Sequence, residues 1–289
     1  MLESRRDLLK RLPLLAIVSF PTKARDRLAV TSWPFRTFFD GSSPRMDMRE
    51  FPAFVVEKFG VHNINPLSSH FHSSDAAYLE SFREAVAKAK SHVVDLGLGG
   101  KQFYSADAAT RKAAVEYGRQ WIDNAVTIGS PSVRQHVAGQ KGETPNVALA
   151  AESLGEMAEY GAKRNIVVNL ENDNPVAEDP FFLTSVIEKV NSRHLRALPD
   201  FGNSLQGHDA AYNERAVRAM LKNAYNMCHV KDTLRSADGQ TYEVDLEKMF
   251  ALAKAAGYKG YFSMEFDTKS GDPSTGTKKL IEETLKYLG

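Results

Sequence analysis

Residues 166–202 read IVVNLENDNPVAEDPFFLTSVIEKVNSRHLRALPDFG. The β-rich run IVVNLEND is followed by a helix-like stretch, and a second β-rich run, LRALPDFG, begins 29 residues after the first. Strands that alternate with helices pair in parallel through right-handed crossovers, because a parallel neighbour cannot be reached through a tight turn. The stretch therefore predicts one βα unit and the strand of the next.

The same unit recurs along the chain. Eight β-rich runs follow one another at intervals of 33, 31, 38, 36, 29, 31 and 35 residues. They begin near Leu28, Val61, His92, Ser130, Ile166, Leu195, Asn226 and Tyr261. Helix-like stretches fill the intervals; between residues 75 and 90, for example, Leu79, Phe82 and Val86 recur at helical spacing. Eight such units predict an α/β fold that is a single (β/α)8 TIM barrel.

An open doubly wound sheet is the competing architecture. That fold usually carries a Gly-rich phosphate loop after its first strand, whereas this chain continues into Trp33 and Pro34 and has no such motif at a strand–helix junction. The glycine-rich sequence from Gly97 to Gly100 lacks the required spacing and is expected to form a tight turn after the third strand. The barrel is therefore favoured.

The first 25 residues are set apart from the barrel. They combine Arg5 and Arg6 with an apolar run over residues 12–20, a pattern that resembles a bacterial twin-arginine export signal. The alternative is an N-terminal amphipathic extension that covers the barrel floor. An export signal predicts a periplasmic location and the alternative a cytoplasmic one; the apolar run is too short for a stable membrane span. Because no linker-like composition divides the rest, we expect one catalytic domain over residues 26–289.

The composition is that of an ordinary folded domain. The 289 residues are 43% hydrophobic and 25% charged, and the formal net charge is +1. These values exclude a disordered chain, and they give no overall attraction to nucleic acid. The single cysteine, Cys228, excludes an intramolecular disulfide and a Cys-rich zinc module, so His, Asp and Glu remain as the metal-ligating residue types.

The last four predicted strands each carry a metal-competent residue near the carboxyl end. These residues, separated by 29, 29 and 36 positions, are Glu171, Asp200, His229 and Glu265. Active residues of a (β/α)8 barrel lie at the carboxyl ends of its strands, so the four side chains are expected to converge at the barrel mouth. Taken singly, each has an alternative role as a helix cap, an ion-pair partner or a structural histidine. Together they suit one divalent ion, Mn²⁺, Mg²⁺ or Co²⁺ with Zn²⁺ as a further option, because three buried carboxylates without a cation would repel one another.

The order Glu, Asp, His, Glu on these strands resembles that of the xylose-isomerase-like barrel superfamily of sugar isomerases and epimerases, in the branch that includes ketose 3-epimerases and inosose dehydratases. The resemblance covers nearly the whole barrel region and is most specific between Glu171 and Glu265. It implies that these two glutamates are the acid–base pair and that the metal is held by Glu171, Asp200, His229 and Glu265. It also implies that Arg235, six residues after the histidine, binds substrate. Asn203 stands where the epimerases usually carry a substrate-contacting histidine, so the substrate stays open.

The chemistry of proton transfer leads to the same residues. Moving a proton at a carbon next to a carbonyl requires a base, a counter-acid and a group that holds the enediolate charge. We hypothesise that Glu171 and Glu265 face each other across the bound sugar. Lys231, two residues after His229 and on the same side of its strand, is expected either to bind a substrate hydroxyl or to pair with a ligand carboxylate.

Three residues from the first half of the chain are further candidates for substrate contact. Trp33 is expected either to wall the sugar or to belong to the core. His70 follows the second predicted strand and His136 lies on the fourth. Each histidine is expected either to reach the pocket or to be a satisfied structural group.

Three functions are compatible with this pattern. The first is a metal-dependent isomerase or epimerase that acts on a small-molecule sugar or keto-sugar through an enediolate. The second is a lyase or dehydratase that expels a leaving group from a keto-sugar or 3-keto-glycoside after the same first step. The third is a noncatalytic sugar-binding barrel. The neutral charge balance argues against a nucleic-acid partner, and the sequence leaves open whether the chain forms a homo-oligomer.

Overall fold

Strands and helices alternate through the computed structural model, which describes residues 20–40, 45–139, 142–236, 239–267 and 271–288. The strands are β1 (Leu28–Thr31), β2 (Asn63–Asn65), β3 (His92–Val93), β4 (Leu96–Lys101), β5 (Ser132–Val137), β6 (Val167–Glu171), β7 (Leu195–Leu198), β8 (Met227–Val230), β9 (Thr233–Arg235), β10 (Thr241–Glu243) and β11 (Tyr261–Met264). The helices are α1 (Arg36–Phe39), α2 (Phe51–Phe59), α3 (Ala76–Lys88), α4 (Ala108–Ile128), α5 (Val147–Arg164), α6 (Pro180–Val190), α7 (Ala210–Leu221), α8 (Leu246–Ala255) and α9 (Pro273–Leu288). Each predicted β-rich run contains one or two of these strands, which confirms the α/β class.

The strands pair in the order expected for the barrel. One parallel sheet has the order β3-β2-β1-β11-β8 and the other the order β4-β5-β6-β7, while β9 and β10 form an antiparallel hairpin. Isolated parallel bridges connect the two sheets, between Leu67 and Gly97 on one side and between Asp200 and His229 on the other. The carboxyl ends of the parallel strands therefore lie on one face of the molecule.

Local sequence signals set the limits of the outer helices. The side chains of Asp107, Asn146 and Asp179 accept backbone hydrogen bonds at the start of α4, α5 and α6. At the other end, α4 stops at Gly129 and α5 stops at Asn165, which adopt left-handed conformations with φ of 77° and 57°. Both ends of α4 and α5 are thus set by residues with the expected capping preferences.

The space between the strands contains an apolar cluster and a polar layer. The cluster consists of the buried side chains of Ala29, Val94, Leu198 and Met227. The polar layer consists of buried side chains that hydrogen bond to one another: Asn65, Asp95, Ser132, Asn169 and Asn226. Barrel interiors are usually filled by branched apolar side chains. A buried layer of polar side chains was therefore not expected from the sequence.

The predicted turn from Gly97 to Gly100 is wrong, because these residues belong to strand β4. Gly97 faces Arg134, and a Cβ atom at this position would overlap the guanidinium group of that arginine. The glycine is thus required for a close approach of a side chain rather than for a turn.

Residues 1–19 of the predicted export segment, with Arg5 and Arg6, lie outside the described residues. Just after them, the ring of Phe20 packs edge-on against Tyr225 and Tyr261. None of the described helices combines the length and the apolar character that a membrane crossing needs. The division of the chain at residue 25 stays a prediction.

Candidate metal centre and active site

A cavity of about 540 Å³ opens at the carboxyl ends of the strands. Its wall includes Glu171, the last residue of β6, and Glu265, the residue after β11. Asp200, two residues after β7, and His229, within β8, are completely buried beside these glutamates. The strand ends therefore bring the four predicted metal ligands to one place.

The spacing of these side chains allows them to share one cation. One ligand atom from each of the four lies within 4.8 Å of the others. Nδ1 of His229 lies 2.5 Å from Oε1 of Glu171 and 3.4 Å from Oε2 of Glu265. Three carboxylates and one imidazole nitrogen form a donor set that Mn²⁺, Mg²⁺, Co²⁺ and Zn²⁺ accept.

The contacts of Asp200 and His229 fit a bound cation. Oδ1 of Asp200 accepts hydrogen bonds from the backbone N–H groups of Gly202 and Asn203, at 2.8 and 2.7 Å. Its buried Oδ2 accepts no hydrogen bond from the described residues, and its charged neighbour is the ammonium group of Lys231. Nε2 of His229 lies 2.9 Å from Oδ1 of Asn65, so Nδ1 is left to face the carboxylates. A carboxylate oxygen that accepts no hydrogen bond and a ring nitrogen close to it suit a divalent ion.

Two cationic side chains neutralise part of the carboxylate charge. Nζ of Lys231 lies 2.9 Å from Oε2 of Glu265 and 3.1 Å from Oδ2 of Asp200. Nη1 of Arg134 lies 2.8 Å from Oε2 of Glu171. Each glutamate thus has its own cation, and Lys231 forms the ion pair that was one of its two predicted roles.

Burial and neighbouring charges shift the pKa values of the site. Burial opposes ionisation of Glu171, but the positive charges of His229 and Arg134 outweigh it and hold its pKa well below the usual range. Burial raises the pKa of Asp200 to about 7, against the opposing effect of Lys231. Burial lowers the pKa of His229, whereas nearby carboxylates raise it, and the balance lies at about 9. A divalent ion at this site would displace that proton, because only an unprotonated ring nitrogen ligates a metal.

Five of the six residues predicted to contact substrate line the cavity: Trp33, His136, Asn203, Lys231 and Arg235. Trp33 is 42% exposed, and the guanidinium of Arg36 stacks on it at 4.5 Å from the ring centroid. Within the part of the chain that the structure describes, His70 does not line the cavity. Its Nδ1 lies 2.9 Å from Oγ of Ser32, its ring stacks on Phe39, and burial lowers its pKa to about 4.

A second group of potential ligands, His136, Asp173 and Glu178, lies beside the first. Glu178 already accepts hydrogen bonds from Nδ1 of His136 and from a backbone N–H group, both at 2.7 Å. Nε2 of His136 contacts the guanidinium of Arg134. Because this fixed positive charge opposes a second cation, the group is better suited to shaping the cavity wall than to binding a metal.

Neither the hydrogen bond between Asn65 and His229 nor the ion pair between Arg134 and Glu171 was predicted from the sequence. One signal for the surrounding residues was present in the sequence. Alternate residues of a strand face the same side, and four polar residues each lie two positions before a residue of the cavity wall. These residues are Asn65, Asp95, Ser132 and Asn169.

The chain is similar to known proteins over most of its length. Residues 55–288 match the family model described as xylose isomerase-like TIM barrel. No curated protein matches the chain by sequence.

Solved structures share the fold. An L-ribulose 3-epimerase superposes with a TM-score of 0.71 at 18% identity over 91% of this chain and 95% of that chain. D-allulose 3-epimerase from Methylomonas sp. superposes with a TM-score of 0.71 at 16% identity over 93% and 100%. A xylose isomerase-like TIM barrel protein from Mycobacterium smegmatis, in complex with magnesium, superposes with a TM-score of 0.68 at 17% identity over 92% and 99%.

Proposed function

Because the chain belongs to the xylose isomerase-like TIM barrel family, we propose that it is a divalent-metal-dependent sugar isomerase or epimerase. The reaction would move a proton at a carbon next to a carbonyl through an enediolate. The convergence of three carboxylates and one imidazole within 4.8 Å, beside a 540 Å³ cavity, is the observation that carries the proposal.

The metal ligands in this proposal are Glu171, Asp200, His229 and Glu265. When bound, the ion supplies a Lewis acid that favours loss of the proton next to a carbonyl. The donor set suits Mn²⁺, Mg²⁺ or Co²⁺, with Zn²⁺ as a further option. The Mycobacterium smegmatis protein of the same fold is in complex with magnesium, which is in line with a hard divalent ion as the metal of this proposal.

The two glutamates would transfer the proton. The side chain of Glu265 is 12% exposed and that of Glu171 is 2% exposed, and both line the cavity. We therefore propose that one glutamate, in its ionised form, removes a proton from one face of the sugar, while the other, which would enter the step protonated, delivers a proton to the opposite face. Nζ of Lys231, in contact with Glu265, would donate a hydrogen bond to the substrate oxygen on which negative charge develops.

The remaining cavity wall would hold a free sugar or keto-sugar. Trp33 offers a partly exposed aromatic ring, Arg235 and Asn203 offer polar groups that suit sugar hydroxyls, and His136 adds its ring to the wall. The ketose epimerases among the structural neighbours support a ketose substrate. Asn203 accepts a hydrogen bond from Lys231 at 2.7 Å, so it would fix the ammonium group at this edge of the substrate.

Elimination on the same site is the second candidate. It would begin with the same proton removal and would then expel an oxygen leaving group. The buried ammonium of Lys231, which lines the cavity, favours this candidate because it is an acid placed to protonate a departing oxygen.

The test combines metal analysis with isotope exchange. We expect purified protein to contain about one divalent ion per chain, as one four-residue ligand set requires. In heavy water, D-allulose, L-ribulose and D-tagatose are offered as substrates, with 3-keto-glycosides as a second set. We expect deuterium to enter the carbon next to the carbonyl, and product analysis separates an isomer from an elimination product. A metal-free protein that is insensitive to chelators, or the absence of exchange with every sugar, would contradict the proposal.

A further inference from the structure

A line of buried hydrogen bonds leads from the candidate metal site into the polar layer. Nε2 of His229 lies 2.9 Å from Oδ1 of Asn65. The amide nitrogen of Asn65 donates to the carbonyl oxygen of Asp95 at 3.1 Å and lies 3.4 Å from Oδ2 of the same residue. All three residues are completely buried. Because buried polar groups need partners, the amide has one favourable orientation, with nitrogen towards Asp95 and oxygen towards His229.

We propose that Asn65 is a positioning residue that selects, with Asp95, the tautomer of His229 that binds the metal; the inference rests on the proposed metal site. An amide oxygen only accepts hydrogen bonds, so Nε2 of His229 must carry the ring proton. The lone pair of the neutral ring is then on Nδ1, the nitrogen that faces Glu171 and Glu265. The hydrogen bond from Nε2 to Asn65 thus leaves Nδ1 as the nitrogen that binds the metal.

Asp95 is held in place by side chains from strands β5 and β6. Its Oδ1 accepts hydrogen bonds from Oγ of Ser132 at 2.5 Å and from Nδ2 of Asn169 at 3.0 Å. Asn169 also donates to Oδ1 of Asn226, and Nδ2 of Asn226 donates to Oγ of Ser132, both at 2.9 Å. These bonds close a ring, so the carboxylate cannot rotate without breaking several buried hydrogen bonds. Asp95 therefore holds the amide of Asn65 against a flip.

Strand β2 supplies a matched control for this role. Asn63 lies two residues before Asn65 and is 5% exposed. Its amide nitrogen donates to the backbone oxygens of Asp26 and Leu28, at 2.9 and 2.8 Å. Asn63 therefore stabilises the same strand as Asn65, but its side chain bonds to backbone oxygens and not to His229. The same substitution at the two positions therefore separates a loss of strand stability from a loss of histidine orientation.

The experiment compares Asn65→Leu, Asn65→Asp and Asn63→Leu with the wild-type protein. Binding of Mn²⁺ to metal-stripped protein is measured by calorimetry. The ring N–H of His229 is observed by NMR in the Zn²⁺-loaded protein and is identified by its loss in His229→Gln. We expect Asn65→Leu to weaken Mn²⁺ binding about 10–100-fold, as loss of a partner of a metal-bound histidine typically does, and to lose the slowly exchanging Nε2 proton. Asn65→Asp keeps an acceptor and should retain that proton, and Asn63→Leu should bind Mn²⁺ like the wild type.

Two results would overturn this inference and leave the proposed function intact. One is wild-type Mn²⁺ affinity in Asn65→Leu, and the other is equal weakening of Mn²⁺ binding by Asn65→Leu and Asn63→Leu. If Asn65→Leu does not fold, Asn65→Ala decides, with Asn63→Ala as its control, because it removes the same acceptor without adding an apolar side chain. Weaker Mn²⁺ binding by Asn65→Ala than by Asn63→Ala supports the inference, and unchanged binding overturns it. A wild-type protein that binds no divalent ion would overturn the proposed function and this inference together.

Discussion

The two glutamates of the site lie in different surroundings. Glu171 ends strand β6, is 2% exposed and contacts both His229 and Arg134. The side chain of Glu265 is 12% exposed and contacts Lys231 at 2.9 Å. Arginine stays protonated in proteins, whereas the ammonium of lysine can transfer a proton. Glu171 therefore has a neighbour whose charge is fixed, and Glu265 has a neighbour that carries a removable proton; we call these the fixed side and the exchanging side of the site.

Substitution of the two glutamates gives the largest expected effect. Glu265→Gln should lower deuterium exchange about 10²–10⁴-fold, the usual contribution of a general acid or base. Its stability should change little, because Lys231 keeps its contacts with Asp200 and Asn203. Exchange is measured by NMR and stability by thermal unfolding of the metal-free protein.

Glu171→Gln is the counterpart on the other side. It removes the charge that pairs with Arg134, whose side chain is 3% exposed. Leaving a buried charge unpaired costs about 3–5 kcal/mol, so this variant should unfold at a clearly lower temperature than Glu265→Gln. Equal thermal stability of the two variants would contradict the proposed difference between the two sides.

Replacement of Lys231 tests the exchanging side more directly. Lys231→Met should lower exchange about 10²-fold, as loss of one donor to a developing negative charge does. It should not weaken Mn²⁺ binding, because the substitution removes a positive charge next to the ion. Lys231→Arg keeps the charge but not the removable proton and serves as the control. Weaker Mn²⁺ binding by Lys231→Met would show that the lysine supports the ligands instead.

His70, which lies outside the cavity wall, gives the stability of the protein a pH dependence of its own. The pKa of this buried histidine is about 4 in the folded protein and about 6.5 when unfolded. Between these values the unfolded chain binds a proton that the folded protein does not bind, so stability falls as the pH falls from 6.5 to 4, by about 3 kcal/mol in full. His70→Gln should remove this part of the pH dependence in urea unfolding at pH 7, 5 and 4. Parallel curves for the variant and the wild type would show that His70 titrates normally.

The smallest expected effect is a loss of stability when the guanidinium group of Arg134, on the fixed side, is crowded. Gly97→Ala introduces a Cβ that overlaps the guanidinium group, and such overpacking costs about 1–3 kcal/mol. Gly99→Ala, in the same strand, meets only the hydroxyl of Tyr117 at 3.4 Å and is the matched control. Thermal unfolding should separate the two variants by a few degrees. A Gly97→Ala protein as stable as Gly99→Ala would mean that Arg134 moves freely.

Much of the fold was predictable because its signals are local. One strand and one helix have a combined length of about thirty residues, so the recurrence of β-rich runs predicted where each strand begins. The positions of Asp200 and Glu265 at strand ends predicted that they would meet, since parallel strands end on one face. The turn predicted for Gly97 failed because its cause, the side chain of Arg134, comes from another strand.

The contacts inside the site were not predictable in the same way. The hydrogen bond between Asn65 and His229 joins positions 164 residues apart. His70 matched the pattern of a substrate-contacting histidine, but the structure turns it towards Ser32 and Phe39. Nothing in the neighbouring sequence distinguishes a histidine that faces the cavity from one that faces the wall behind it.

The sequence by itself determined the α/β class, the order of the strands and the four residues that gather at the barrel mouth. It did so because periodicity and strand ends are properties of short segments. Only the tertiary structure decided that Arg134 pairs with Glu171, that Lys231 pairs with Glu265 and that a polar layer lies beneath them. Most polar groups in a dry interior have a partner, and the choice of partner depends on which distant strands the fold brings side by side.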